Sequence, residues 1–136
     1  ISRIAVLGDD KIGKTILHHR AFGGEPFSEI YTWTIGVEFF NRINTQNLLR
    51  MHSWDSGGNE RFREIVWGYH KTVKSHFYCF DLNNHNSFEN AKKLFYSWKE
   101  RFLQTETVES FLQSNESCIL LLGLKSDLEH KVTRDE

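Results

Sequence analysis

The 136-residue chain is short of cysteine and proline, has no excess of charge of either sign, and contains no long apolar run. Its two cysteines, Cys79 and Cys118, each sit inside an apolar stretch and read as buried thiols in a reduced compartment. Neither CxxC nor HExxH spacing occurs, and the seven histidines are scattered, so His18, His19 and the rest read as surface or satisfied residues rather than metal ligands. Lys plus Arg total 17 against 18 for Asp plus Glu, which leaves no broad basic field for nucleic acid or an anionic membrane. No segment approaches the roughly 20 apolar residues that span a bilayer, and the N-terminus shows no charged-then-apolar signal, so an intracellular, cytoplasmic protein is expected. The length suits one domain with a sizeable core.

What is present is an ordered alternation of apolar strands, glycine turns and amphipathic stretches. IAVLG, residues 4–8, runs into the loop GDDKIGKT and then into the helical stretch TILHHRAF. GVEFFNRI and LLRMHSWD, separated by a polar TQN, predict two strands joined by a hairpin. SHFYCFDL has strand length. In SFENAKKLFYSWKERFL, Phe88, Ala91, Leu94, Phe95, Trp98 and Phe102 recur at spacings of three and four, which predicts an amphipathic helix with Ser87 as its N-cap. A polar, part-helical connector from 104 to 117 leads to CILLLGL, whose unbroken apolarity predicts a parallel strand covered on both faces. The fold class is α/β, with ligands expected at the carboxyl ends of the strands.

The loop carries the chemistry. In GxxxxGK[ST], Gly8 and Gly13 let the backbone turn its N–H groups inward onto phosphates, Lys14 neutralises the β and γ groups, and the Thr15 hydroxyl ligates Mg²⁺. A plain glycine turn between strand and helix has no need of Lys-Thr at that offset. About forty residues on, WDSGG closes an apolar strand; Asp55 is placed to be a second Mg²⁺-linked carboxylate, and the Gly58 N–H to meet a γ-phosphate. LKSD follows the last apolar strand, and a carboxylate at Asp127 accepts from both the N1 proton and the amino group of guanine, an edge that adenine lacks. The alternative for LKSD is a solvated turn, and for Trp54 a buried core aromatic.

GDDKIGKT, YTWTIGVEFF, WDSGGNERFREI, FDLNNHNSFENAKK and LLLGLKSDLEHK occur in the order of the Ras superfamily, and the chain most resembles its Rab branch. The resemblance implies a P-loop G domain: a mostly parallel sheet with one antiparallel edge strand and helices on both faces. It implies GTP/GDP and Mg²⁺ as ligands, contacted by Asp10, Lys11, Ile12, Gly13, Lys14, Thr15, Ile16, Phe27, Tyr31, Thr34, Gly58, Lys125 and Asp127. Thr34 would bind Mg²⁺ with Thr15 and Asp55, Tyr31 would close over the phosphates, and Phe27 would pack on the guanine edge. Phe39, Trp54 and Tyr69, flanked by Ile35, Gly36, Arg61 and Phe62, would engage effector proteins. Exchange factors and GTPase activators are the further partners implied.

Three departures fall on three loops. Asn59 stands where the family's glutamine orients the attacking water; a positioning error of about 1 Å costs about a hundredfold in rate, although Rab activators of the TBC type supply a glutamine in trans. Leu124 replaces the asparagine that bonds the base and ties its loop to the phosphate loop, a loss of about 1–3 kcal/mol. Asp10 stands where the family keeps a small residue beside the γ-phosphate, whereas Asp9 is common at its own position. Family members continue past the guanine motif with further helices, a serine-alanine-lysine strand and a prenylated tail, so residues 1–136 are expected to be one incomplete G domain that reaches membranes only through a missing C-terminal tail. The leading expectation is a guanine-nucleotide switch in vesicle trafficking with slow hydrolysis. The alternative is a pseudo-GTPase acting as an interaction module, and a P-loop ATPase or kinase is disfavoured by Lys125, Asp127 and length.

Overall fold

A computed structural model describes residues 1–24, 26–46, 49–70, 72–104, 107–115 and 117–136. The strands are β1 (Ser2–Leu7), β2 (Val37–Asn44), β3 (Leu49–Ser56), β4 (Ser75–Asp81) and β5 (Cys118–Leu124), in the spatial order β2-β3-β1-β4-β5. β2 runs antiparallel to β3, as the hairpin pattern predicts, and the three remaining pairings are parallel, as the family resemblance implies. Asn47 and Leu48, in the expected hairpin, lie outside the described residues, as do Thr105, Glu106 and Glu116 of the connector.

Alternation along the strands sends side chains to two cores. Ala5 and Leu7 of β1 and Tyr78 and Phe80 of β4 face one side, where they meet α2 (Arg63–His70) and α3 (His85–Phe102) through Val66, Trp67, Phe88, Ala91 and Trp98. Val6 and Cys79 face the other side with Ile12, backed by Leu17 of α1 (Lys14–His18), Phe77 and Leu122. A short α4 (Val108–Asn115) sends Phe111 against Trp98, with ring centroids 5.3 Å apart. Among the described residues no helix is long and apolar enough to cross a membrane.

Two local expectations are corrected, the N-cap of α3 and the burial of β5. The N-cap of α3 is Asn84, whose side chain accepts from the Ser87 N–H; Ser87 lies inside the first turn, buried, with its hydroxyl bonded to the Asp81 and Asn84 carbonyls. The helical stretch expected after the glycine loop is present, as α1 continued by a π-turn over His19–Gly23. β5 is parallel, but it is not covered on both faces: Leu120 and Leu121 are 40% and 52% exposed. β5 hydrogen-bonds only β4 among the described strands, so Ile119 reaches the α3 side and Leu122 and Leu124 the α1 side while its middle stays bare.

Candidate functional site

The glycine loop leaves the carboxyl end of β1 and packs against β4. A Cβ on Gly8 (φ 145°) would overlap the Cys79 carbonyl oxygen, so only glycine fits there. Lys11 holds a left-handed φ of 61°, an arrangement costing about 1 kcal/mol in a non-glycine residue and kept only where the surroundings enforce it. Lys14 opens α1, is 5% exposed, and donates from Nζ to the Asp9 carbonyl at 2.6 Å. Burial lowers its pKa, against the opposing pull of Asp55, Asp10, Cys79 and Asp9. A buried ammonium beside inward-turned backbone is an electrostatic trap for a phosphate chain.

Next to it three oxygen-bearing side chains from three segments converge. The Thr15 hydroxyl donates to Asp55 Oδ2, and the Thr34 hydroxyl stands 2.8 Å from that of Thr15 and 3.5 Å from Asp55 Oδ2. Asp55 is fully buried, and its Oδ1 has no hydrogen-bond partner among the described residues. Two hydroxyls around a buried carboxylate with an unused oxygen form a hard-oxygen donor set that fits Mg²⁺.

The segments carrying Thr34 and Gly58 are tied together by the Gly57 N–H donating to the Gly36 carbonyl at 2.7 Å. A Cβ on Gly58 would overlap the Asp10 amide nitrogen, so this glycine lies directly on the phosphate loop. The same imaginary Cβ would stand 2.8 Å from an Asp10 carboxylate oxygen, which places that acid between loop and Gly58. Asp9 instead accepts from Asn90 Nδ2 of α3 at 2.8 Å, outside this gap. Asn59 uses its side-chain oxygen to cap the turn at Glu60–Phe62, accepting from Arg61 N at 3.1 Å.

On the opposite side of the loop a cavity of about 620 Å³ is bordered by Lys11, Thr15, Ile16, Phe27, Tyr31 and Lys125. Lys11 Nζ lies 5.6 Å from the Tyr31 ring centroid, and burial, then Asp10 and Asp55, raise the Tyr31 pKa. Lys125, at φ 62°, reaches from its Nζ to the Lys11 carbonyl at 2.9 Å and to Asp81 Oδ2 at 2.7 Å. Leu124 does tie its loop to the phosphate loop, by packing with Ile12 and approaching Gly13. The expected loss of that tie is thus corrected: apolar contact and the Lys125 bridge take the place of an amide. Asp127 is exposed and does not border the cavity. Phe39, Trp54 and Tyr69 form a surface row, with centroids 5.4 Å and 6.0 Å apart; Trp54 is half-buried. Ile35 and Arg61 are exposed, with the Arg61 guanidinium over the Phe62 ring.

Sequence reasoning gave no site role to Asp81 and Asn90, although both lie within FDLNNHNSFENAKK, and read His18 only as a surface or satisfied residue; all three brace the site. The side chains of Asp81 and Asn90 make their contacts across long sequence separations, to Lys125 and Asp9, which no local pattern signals. Compared with known proteins, residues 3–136 match the model of the Ras family. Ras-related protein Rab-39A of Homo sapiens is 34% identical over 142 residues, covering 98% of this chain and 61% of the relative. The Ypt/Rab-type GTPase YPT7 of Saccharomyces cerevisiae is 32% identical over 133 residues, covering 95% and 60%, and Ras-related protein Rab-13 of Bos taurus is 32% identical, covering 95% and 59%. The chain therefore spans about three fifths of the length of these curated relatives.

Proposed function

The chain belongs to the Ras family, and on that premise we propose that it is the nucleotide-binding part of a Rab-like switch that binds GTP and GDP with Mg²⁺ and hydrolyses GTP slowly. The observation that carries the reading is the convergence of Thr15, Thr34 and Asp55 next to the buried Lys14, with the Gly58 backbone against the phosphate loop. Thr15, Thr34 and Asp55 would hold Mg²⁺, which supplies charge neutralisation at the β- and γ-phosphates. Lys14 binds the phosphate chain, Phe27 and Lys125 flank the base, and Asp127 selects guanine. The Thr34 and Gly58 segments, already joined through Gly36 and Gly57, form the element that responds to the γ-phosphate and presents Phe39, Trp54 and Tyr69 to effectors. A role in vesicle trafficking, with exchange factors and activators as partners, follows from the Rab-type relatives.

The test is titration of the intact, folded protein with fluorescent GDP and GTP, with ATP as competitor. Micromolar or tighter binding of guanine nucleotides that ATP does not displace is expected; no binding sinks the proposal. A second reading, an interaction module without turnover, is favoured by Asn59, whose side chain is engaged in capping, and by Asp10 in the gap beside Gly58. Single-turnover hydrolysis with a TBC-type activator decides between them, because appreciable activated hydrolysis eliminates the second.

A further inference from the structure

His18 is 1% exposed, yet an imidazole is a poor choice for mere filling at the inner face of a helix. Its Nδ1 lies 3.0 Å from the Lys14 carbonyl, and its Nε2 2.7 Å from the Ser53 hydroxyl of β3. A carbonyl only accepts, so Nδ1 carries the hydrogen; Nε2 is then the acceptor, and the Ser53 hydroxyl donates to it. Its ring is stacked on Phe40 of β2 at 4.7 Å and on Phe22 of the π-turn at 5.7 Å. The orientation of the imidazole is fixed on every side. The same Nδ1 lies 3.7 Å from Asp55 Oδ1, the carboxylate oxygen without a hydrogen-bond partner among the described residues.

We infer that His18 is a positioning residue for the Mg²⁺ site: by joining the Lys14 peptide of α1 to Ser53 two residues before Asp55, it fixes phosphate loop and carboxylate in one register. The inference rests on the nucleotide-switch reading and deepens it. The Thr15 to Asp55 bond joins strand β3 and helix α1 on the ligand side, and His18 joins them beneath it. Without the lower link the carboxylate pivots with β3 while the hydroxyl and ammonium stay with α1. Partners that orient metal ligands from outside typically change metal affinity by about 10–100-fold when removed.

The experiment measures release of fluorescent GDP from the intact protein as free Mg²⁺ is varied, for wild type, His18→Leu, His18→Asn and Ser53→Ala. For His18→Leu the Mg²⁺ concentration that half-maximally retains nucleotide should rise about tenfold or more, with release in excess EDTA unchanged. His18→Asn, whose amide can still donate to the Lys14 carbonyl, should recover part of the loss, and Ser53→Ala should shift in the same direction as His18→Leu. A purely structural role would lower the melting temperature and speed release equally with and without Mg²⁺, and that result overturns the inference. So does an unchanged Mg²⁺ half-point. If the variants fail to fold, the ¹⁵N spectrum of the wild-type imidazole still decides, because an Nε2–H tautomer refutes the arrangement. Wild type that binds no nucleotide would refute the switch reading and the inference with it, whereas wild type with normal Mg²⁺ dependence beside an identical His18→Leu refutes the inference alone.

Discussion

Asp10→Ser is the perturbation that most directly probes how the phosphate loop handles its own acid. The Asp10 carboxylate fills the gap between the loop and Gly58, where the proposed γ-phosphate contacts gather. Two unit charges ~5 Å apart interact by about 0.8 kcal/mol at a dielectric of 80 and about 3 kcal/mol at 20. Asp10 is only half-buried, and Lys11 and Lys14 lie close by, so the lower part of that range applies. GTP brings more charge to this gap than GDP, so removing the acid should tighten GTP relative to GDP by about 1 kcal/mol, or about fivefold. Competitive displacement of fluorescent GDP by both nucleotides measures the ratio, and Asp10→Asn separates charge from bulk. The gain should shrink at high salt. A GTP to GDP ratio unchanged in both variants would refute the electrostatic argument, and a gain in Asp10→Ser but not Asp10→Asn would assign the effect to size.

Asn59→Gln lengthens by one methylene a side chain now held in a cap, and single-turnover GTP hydrolysis should quicken by about tenfold to a hundredfold; an unchanged rate would mean that another group places the water. Loss of that cap should also show as a small drop in melting temperature, equivalent to about 0.5–2 kcal/mol. Lys125→Ala removes charge-assisted bonds to the Lys11 carbonyl and Asp81, each worth at most about 1.5–3 kcal/mol and less at a group one-third exposed, so nucleotide should leave roughly ten times faster. Asp81→Asn should act in the same direction. His76 is buried in the α3-side core, and burial lowers its pKa to about 4 from an ordinary 6.5. A depressed histidine leaves the unfolded chain binding more protons between those values, so its stability contribution is complete above pH ~6.5 and falls as the pH drops toward 4, by up to about 3 kcal/mol. Urea unfolding at neutral and mildly acid pH should show that slope, with the smaller burial-driven effect of His18 in the same direction, and His76→Phe should flatten it.

The strands, their order along the chain and the phosphate loop were legible because each rests on a local rule: period-two or unbroken apolarity, glycine spacing, and a lysine and threonine at fixed offsets. Burial of β5 was not, because CILLLGL states what the strand would accept on its faces and not whether anything lies there; Leu120 and Leu121 are apolar and exposed all the same. The helix cap was misplaced by three residues because Asn84 and Ser87 are both good caps, and the choice was made by Ser87 turning inward to Asp81. The two acids of the loop could be divided only by the fold: Asn90, eighty-one positions away, takes Asp9, and nothing in the sequence pairs them.

Departures from a family pattern are the hardest to read from sequence, because each is judged at its own position while its consequence is settled by neighbours. Leu124 cannot make the hydrogen bonds of an asparagine, and sequence reasoning therefore expects a loosened loop. In the fold its methyl groups join the cluster of Val6, Ile12 and Cys79, and the polar bridge moves one residue along to Lys125, anchored by Asp81 at the end of β4. The two connections are of different kinds. Apolar packing holds the Ile12 side chain whatever the ligand, whereas the lysine bridge ends on a backbone carbonyl of the phosphate loop, so it responds directly to that loop's backbone conformation. Breaking the first should therefore lower stability without altering the preference between GDP and GTP, and breaking the second should loosen both nucleotides with little change in melting temperature. If Leu124→Ala and Lys125→Ala instead move stability and nucleotide release in the same proportion, the two connections act as one, and the division of labour drawn from their geometry is wrong.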